Sequence, residues 1–263
     1  TLLLILLIFR LVTSKNKQSY GTTIDELWDS CRELDLPLPQ KASIAPSSLC
    51  EARKKLHESV FQCINRKILD TYAQQDADRF LWMGRRVFAV DGSKINLPRP
   101  LQDVGYPLPN EASYYPQGLL SCLYELKSQL PVDFDLVSHG DERLCAEHHL
   151  QALKAGDVVV YDRGYFSYVL LHHHMEAGLH AVFRLQDCSA SAIRQFSNSP
   201  EIEQIVTLYP SQRTLTEIAK QHPDVHIVPR TIRLVKYQVA GTTFCLGSTL
   251  IESEKIPLDA LKD

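Results

Sequence analysis

VFAVDGS, residues 87–93, is an apolar run of four residues followed by an acid, a glycine and a serine. A continuous apolar run of this length is typical of a strand buried on both faces, and the Asp-Gly pair predicts a turn directly after it. VVVYDRG, residues 158–164, repeats the pattern further along the chain. The two stretches therefore predict two buried strands, with Asp91 and Asp162 at their carboxyl ends.

The segments around these two runs predict the rest of one sheet. Composition and periodicity indicate strands at 118–124, 131–137 and 180–185, a turn near 127–129, and helices at 142–153 and 168–177. The resulting order, β-β-β-α-β-α-β, is typical of a mixed α/β sheet of the ribonuclease-H-like kind. The first and fourth strands are neighbours in that arrangement. We therefore expect Asp91 and Asp162 to meet at one rim of the sheet, where ligands of open α/β sheets bind.

The composition is that of a soluble globular protein. The 263 residues include 28 Lys and Arg against 31 Asp and Glu, and 44% are hydrophobic, which excludes a disordered or collagen-like chain. The seven cysteines are odd in number and never spaced C-x-x-C, so neither a disulfide framework nor a zinc knuckle is predicted. A reducing cytoplasm is the expected location. Residues 2–9 are apolar but too few to cross a membrane, and they predict a buried helix.

The pattern changes along the chain and predicts four regions. They are a helical region at 1–80, a catalytic core at 81–188, a β-rich insertion at 189–252, and the start of a helix at 253–263. Thr23–Glu26 and Ser48–Glu51 fit the capping box of a helix start. The helical region is interpreted as a bundle half-domain or, alternatively, as a DNA-contacting module of helix-turn-helix type. The second interpretation would use the basic residues Arg53, Lys54 and Lys55.

Two carboxylates held together at a sheet rim repel each other, and a hard divalent cation with oxygen ligands relieves that repulsion. Phosphodiester chemistry commonly uses two Mg²⁺ or Mn²⁺ ions in such a site. Asp91 is the candidate for the ligand that bridges both ions, and Asp162 for a ligand that binds one of them. The alternative is that Asp-Gly simply makes a turn after a strand.

Residues 87–97, VFAVDGSKINL, and residues 158–166, VVVYDRGYF, resemble the first two acidic motifs of DDE transposases of bacterial insertion sequences, in the group typified by insertion sequence four. Residues 43–56 resemble the helical lead-in of that group. The resemblance implies metal-dependent cleavage and transfer of DNA strands at transposon ends, with Asp91 and Asp162 as the first two catalytic acids. It also implies terminal inverted repeats and target DNA as partners, a homodimer in a synaptic complex, and a place in the bacterial cytoplasm with the nucleoid.

One motif of that family has no counterpart here. The third carboxylate is a glutamate inside Tyr-x-x-Arg-x-x-x-Glu-x-x-x-x-x-x-Lys, on a helix after the β-rich insertion, and the sequence contains no such motif. Asp259 and Asp263 lie on the predicted helix without the surrounding Tyr, Arg and Lys. The expectation is a chain that ends before the third carboxylate, binds metal weakly and cleaves DNA poorly or not at all.

Basic side chains on both sides of Asp91, beside Asp162 and in the insertion are candidates for contact with the DNA backbone. They are Arg85, Arg86, Lys94, Arg99, Arg163, Arg230, Arg233 and Lys236. The resemblance adds an aromatic residue of the insertion that stacks a flipped base. Phe244 is the candidate for it, with Tyr237 as a second choice and core packing as the alternative for both. The three histidines at 172–174 are interpreted as partly exposed helix residues, since chelation needs a spacing of three or four.

Two other functions remain open at this point. A non-catalytic DNA-binding or regulatory remnant of a transposase would keep the fold and lose the chemistry. An actin-like or sugar-kinase phosphotransferase also places Asp-Gly-Ser after a buried strand, but it repeats its domain, and no duplicated half is found here.

Overall fold

A computed structural model describes residues 2–13, 19–57, 59–75, 81–138, 140–186, 190–252 and 254–261. The chain forms two compact units, residues 1–67 and residues 68–263. The boundary between them lies inside a helix, α4 (Ser59–Gln75), and so comes earlier than the change of pattern at residue 80.

The first unit consists of helices packed around an apolar core. The helices are α1 (Leu2–Thr13), α2 (Tyr20–Glu33), α3 (Pro46–Lys54) and the first part of α4. The core contains Leu7, Ile24, Leu27, Trp28, Cys31 and Leu49. Trp28 is 1% exposed, and its indole N–H donates to the Gln40 carbonyl at 3.2 Å. Within the described ranges, no helix is both long and apolar enough to cross a membrane.

Both predicted capping boxes lie inside helices rather than at their starts. Ser19 caps α2, because its Oγ accepts a hydrogen bond from the Thr22 N–H at 3.1 Å. α3 begins at Pro46, whose missing N–H is tolerated in the first turn of a helix. A local motif four residues long fits several positions of a helical sequence, so it did not identify the true first residue.

In the described part of the second unit, eight strands form one mixed sheet in the order β3-β2-β1-β4-β5-β8-β7-β6. The strands are β1 (Val87–Asn96), β2 (Gln117–Glu125), β3 (Leu130–Val137), β4 (Val158–Tyr161), β5 (His180–Leu185), β6 (Glu203–Leu208), β7 (Arg230–Val239) and β8 (Thr242–Ser248). β1, β2 and β3 form an antiparallel meander, and β1, β4 and β5 run parallel. The predicted mixed α/β class and element order are confirmed, and the topology is consistent with a ribonuclease-H-like fold.

β1 is longer than predicted, and its Asp-Gly-Ser segment is strand rather than turn. Asp91 pairs with Cys122 and Gly92 with Ser121 on β2. The antiparallel ladder therefore continues on one side of β1 after the parallel partner, β4, has ended at Tyr161. The prediction of a turn was wrong because it considered only the residues of β1 and not the partner that extends it.

Residues 189–252 also differ from the predicted β-rich insertion. They contain two helices, α7 (Ser191–Ser197) and α8 (Gln212–Gln221), and their strands join the main sheet through the antiparallel pair β5–β8. The predicted runs 231–235 and 237–239 form one strand, β7, whereas residues 227–228 form none. Residues 259–261 form a 3-10 turn, and Asp263 lies outside the described residues.

Alternate residues of the central strands face two different apolar clusters. Phe88, Val159 and Phe183 pack with α6 (Tyr168–Glu176), α7 and a third helix, α5 (Glu142–His149). Val158 and Val182 face the opposite cluster, with the chain around 256–261. Burial on both faces explains why the parallel strands are continuous apolar runs in the sequence.

A polar pair lies inside the first of these clusters. The Tyr161 hydroxyl and His174 Nε2 are 2.8 Å apart, and their side chains are 1% and 0% exposed. Burial lowers the pKa of His174 from its ordinary value of 6.5 to about 3. The folded protein therefore keeps this imidazole neutral at pH values where the unfolded chain protonates it.

Stability should consequently fall as the pH decreases from 6.5 towards 3. Between these pH values the unfolded state binds one more proton than the folded state. His174 therefore contributes a slope of about 1.4 kcal/mol per pH unit to the free energy of unfolding. We expect His174→Gln to remove that slope, measured by urea unfolding at pH values from about 4 to 6.5.

His148→Gln is the control, because the pKa of His148 is shifted in the opposite direction to that of His174. The Asp135 carboxylate raises the pKa of the exposed His148 imidazole, so its stabilising effect is complete below 6.5 and is lost as the pH rises through the folded-state pKa. This variant should change the dependence of the free energy of unfolding on pH only above pH 6.5. An unchanged acid slope in His174→Gln would contradict the assignment.

Candidate active site

The register of the parallel strands brings Asp91 level with Asp162. Val87 pairs with Val158 and Ala89 with Val160, and the same register continued by two residues joins position 91 to position 162. Neighbouring strands are about 4.8 Å apart. The two aspartates are exposed, and each lies two residues past the last recorded pair of β1 and β4, Ala89 with Val160.

Local hydrogen bonds shape the chain at both positions. The Asp91 carboxylate accepts from the Gly92 N–H at 2.8 Å, so it bends toward the next residue. After β4 the chain turns, and the Tyr165 N–H donates to the Asp162 carbonyl at 3.1 Å. These contacts leave both carboxylates open to solvent at the rim.

β5, the third parallel strand, contributes a positively charged side chain. Val158 pairs with His180 and Tyr161 with Phe183, so the same register brings Arg184 of β5 level with Asp162. Arg184 Nε lies 3.2 Å from Asp162 Oδ1. The sequence reasoning missed Arg184, although the signal was present, since it follows an apolar run as the two aspartates do.

Phe244 lies next to this ion pair. The guanidinium carbon of Arg163 is 5.6 Å from its ring centroid, and that of Arg184 is 5.3 Å away. The ring also stacks on Tyr237, with centroids 5.2 Å apart. The face of an aromatic ring attracts cations, so Phe244 holds two arginines beside Asp162.

Tyr165 is a buried polar group beside the rim. It is 2% exposed, and among the described residues its hydroxyl has no hydrogen-bond partner. Burial raises its pKa above the ordinary value of 10, and the negative charges of Glu142, Asp91 and Asp162 raise it further. The neutral phenol is therefore the form that persists next to these carboxylates.

The donor chemistry at the rim fits Mg²⁺ or Mn²⁺, because carboxylate oxygens are the ligands that hard cations prefer. Within the described ranges, however, no group of three or more His, Cys, Asp or Glu side chains is gathered closely enough to hold a metal ion. Of the two aspartates at the rim, Asp162 is paired with Arg184.

Within the described ranges, the histidines form no metal-binding group. His174 is buried against Tyr161, so the expectation of partial exposure was wrong for it. His149 is 0% exposed and lies 3.1 Å from Ser121 Oγ and 2.8 Å from Asp133 Oδ2. Ser121 and His149 are buried and the Asp133 side chain is 37% exposed, and these contacts fasten α5 to β2 and β3.

The predicted DNA contacts fall into two groups. Lys94, Arg99 and Arg163 are exposed, and Arg99 stacks over Tyr114 at 4.5 Å. The other five make internal contacts with carbonyl or carboxylate oxygens. Arg85 donates to the Gly156 carbonyl, Arg86 binds Asp157 with two nitrogens, Arg230 binds Glu176, Arg233 binds Glu203, and Lys236 donates to the Ser199 carbonyl.

Arg233 cannot contact DNA in this fold, and that prediction was wrong. Its side chain is 0% exposed, its Nε lies 2.7 Å from Glu203 Oε1, and its Nη1 donates to the Ile256 carbonyl at 2.6 Å. A basic residue in a strand looks the same in sequence whether it faces solvent or a buried acid.

Comparison with protein families supplies a direct match. The family model described as "Transposase DDE domain" matches residues 82–256, which is most of the chain and includes Asp91 and Asp162. The chain is a member of the DDE transposase family. This membership leaves no support for the actin-like alternative.

Two solved structures were compared with the DDE transposase chain. The piggyBac transposase synaptic complex with hairpin DNA has 13% identity and a TM-score of 0.45, and the match covers 95% of this chain and 51% of that one. The chain thus spans about half the length of the piggyBac protein. Endonuclease V of Ciona intestinalis, bound to a 24mer DNA containing an inosine followed by a ribo-adenosine, has 10% identity and a TM-score of 0.26, with 70% and 83% of the chains covered. A search of curated proteins gave no match. The family assignment rests on the family model.

Removing the Arg233 charge should destabilise the protein. Arg233→Met leaves Glu203 without its cation, and we expect a loss of about 2–3 kcal/mol in the free energy of unfolding, less than for a fully buried pair because Glu203 is partly exposed. Arg213→Met is the matched control, since Arg213 is 88% exposed and pairs with Glu217. It should change stability by less than about 1 kcal/mol. Urea unfolding measures both, and a fully stable Arg233→Met variant with weakened DNA binding would contradict the structural role.

Proposed function

We propose that this DDE transposase chain cleaves and joins DNA strands at transposon ends, with Asp91 and Asp162 as metal-binding carboxylates. The observation that supports the proposal is the parallel register of β1 and β4, whose last pair, Ala89 with Val160, lies two residues before Asp91 and Asp162. The motifs around both residues support the finer assignment to the group typified by insertion sequence four.

In the proposed reaction, two adjacent exposed acids form an electronegative pair that a divalent cation neutralises. Bound Mg²⁺ or Mn²⁺ would activate the attacking oxygen and stabilise the leaving oxygen of an in-line phosphoryl transfer. Asp91, between β2 and β4 in the sheet, is suited to bridge two ions, and Asp162 to bind one. Because both aspartates are exposed, a DNA strand can approach them.

The DNA partner is proposed to bind across the same rim. Lys94 and Arg163 follow the two aspartates along the chain and are exposed, so they can contact phosphates. A cleft of about 480 Å³, lined in part by Arg143, Arg163 and Gln186, adjoins this surface. Terminal repeats and target DNA are the proposed substrates, in a homodimeric synaptic complex in the bacterial cytoplasm.

A non-catalytic DNA-binding role is the second candidate. It is favoured by one observation, that no three metal-ligating side chains are gathered among the described residues. A protein of this kind would bind DNA through the exposed basic residues and leave the phosphodiester intact.

The two candidates are separated by strand cleavage. With Mn²⁺ and supercoiled plasmid DNA, we expect the wild-type chain to nick DNA slowly, and Asp91→Asn or Asp162→Asn to reduce that rate by about 100-fold or more, because each removes a metal ligand. Asp103→Asn, an exposed aspartate of the 3-10 helix Arg99–Val104, is the matched control and should keep the wild-type rate.

DNA binding by gel shift completes the test. Binding without nicking by the wild-type chain would favour the non-catalytic role. Nicking that persists in Asp91→Asn would contradict the assignment of the site.

A further inference from the structure

The sheet of the second unit ends in two edge strands, β3 on one side and β6 on the other. The outer side of an edge strand carries backbone N–H and C=O groups that no neighbouring strand pairs, so it can add a strand from another molecule. Proteins commonly prevent such pairing with a proline, a bulge, charged side chains or a covering segment. The two edges of this sheet differ in these features.

β3 carries several features that oppose pairing with a second copy. Pro131 has no N–H to donate, and the register of β3 with β2 is interrupted by a bulge. The Leu136 carbonyl already accepts a hydrogen bond from the Tyr106 hydroxyl at 3.1 Å. A two-fold pairing centred between Asp133 and Asp135 would also place these acids opposite each other, and like charges in that position are destabilising.

β6 has none of these features. Its sequence, EQIVTL, contains no proline, lysine or arginine, and its register with β7 is regular. Within the described ranges, β7 is its only strand partner. Ile205, in the middle of the strand, is 53% exposed, and the residues that flank the strand, Ile202 and Tyr209, are 61% and 71% exposed. This edge therefore combines open backbone groups with exposed apolar side chains.

The pairing with β7 shows which backbone groups of β6 are open. The Lys236 N–H donates to the Ile202 carbonyl at 2.8 Å, and the register places these two residues opposite each other. Opposite residues of antiparallel strands alternate between hydrogen-bonded and non-hydrogen-bonded pairs. The even-numbered residues 204–208 therefore bond to β7, and positions 203, 205 and 207 direct their N–H and C=O groups outward. The Thr207 and Thr231 hydroxyl oxygens, 3.1 Å apart, fit this alternation, because side chains lie closer in non-hydrogen-bonded pairs.

We propose that β6 is a surface through which two copies of this chain associate, by antiparallel pairing across a two-fold axis at Ile205. In that arrangement Ile205 of one copy faces Ile205 of the other, and Glu203 faces Thr207. All three outward positions of each strand then find partners in the other strand. The contact is isologous, as in most homodimers. The inference deepens the homodimer of the proposed function and rests on it for the identity of the partner.

The charge and the size of this surface agree with a second copy as the partner. Glu203 would face a neutral threonine, and its carboxylate is already paired with Arg233 at 2.7 Å, so pairing buries no uncompensated charge. The strand has six residues, and its pairing gives an interface at the small end of specific ones, below about 1,200 Å². We therefore expect a dissociation constant on the order of micromolar for the dimer without DNA.

Sedimentation of the full chain without DNA, over a range of concentrations, measures this association. Ile205→Lys keeps the backbone groups and places two like charges opposite each other. Ile205→Pro removes an outward N–H that β7 does not use, and proline is tolerated at such a position of an edge strand. We expect each variant to raise the dissociation constant of the dimer by about tenfold or more.

Val239→Lys is the matched control, because it introduces the same charge at a β-branched residue that is 54% exposed, at the end of β7. It should stay within about twofold of the wild-type dissociation constant. The unfolding midpoint of each variant is measured alongside, and Ile205→Lys serves as the test if Ile205→Pro does not fold.

Hydrogen exchange locates the contact. In the monomer, the amides of Glu203, Ile205 and Thr207 are open to solvent, while residues 204, 206 and 208 bond to β7. We expect exchange in a peptide spanning residues 201–209 to slow as the wild-type concentration rises through the dissociation constant. The same peptide of Ile205→Lys should exchange at one rate at all concentrations.

The outcomes distinguish this inference from the proposed function. Association of the wild-type chain that Ile205→Lys and Val239→Lys leave equally intact would overturn the role of β6 and leave the proposed homodimer standing. A wild-type chain that remains monomeric at about 200 μM, well above the expected dissociation constant, would also overturn the inference, and the nicking assay would still test the proposed chemistry. A dimer that depends on Ile205, in a chain that does not nick DNA, would support the inference and contradict the catalytic proposal.

Discussion

The parallel register of β1, β4 and β5 is the constraint on which the site depends. A shift of one residue in either pairing would move Asp91 or Asp162 to the other face of the sheet. The register is specified by burial, since Phe88, Val159 and Phe183 face one apolar cluster while their neighbours face another. The energy that fixes the two carboxylates thus comes from side chains that take no part in the proposed chemistry.

At the rim, the protein itself supplies a positive charge for one of the two aspartates. Asp162 is paired with Arg184, and Arg184 shares the ring of Phe244 with Arg163. In the described part of the chain, no arginine or lysine forms an ion pair with Asp91.

Much of the central sheet could be predicted from the sequence, because its parallel strands are short apolar runs and its meander alternates regularly. β5 matches its predicted bounds, 180–185, and β4, Val158–Tyr161, is the apolar part of the run 158–164. The errors arose where a partner distant in sequence decides the structure. β2 extends β1 through the predicted turn, and the strands after residue 200 join the sheet instead of forming a separate insertion.

The site was predicted less completely than the sheet, for the same reason. Asp91 and Asp162 follow conspicuous runs, whereas Arg184 acquires a role only through its contact with Asp162. Arg233 shows the converse: its charge suggested DNA, and the fold buries it against Glu203. Charge is visible in a sequence, but exposure is decided by the packing of distant segments.

The central claim is that a divalent cation binds at positions 91 and 162, and iron-mediated cleavage of the polypeptide tests it most directly. Fe²⁺ placed in the site with ascorbate and hydrogen peroxide generates hydroxyl radicals that cut the nearby backbone, and mass spectrometry locates the cuts. The account predicts cuts near residues 91–92 and 162–163 that excess Mn²⁺ suppresses. Cuts confined to other segments, such as the histidines at 172–174, with none at the rim, would contradict it.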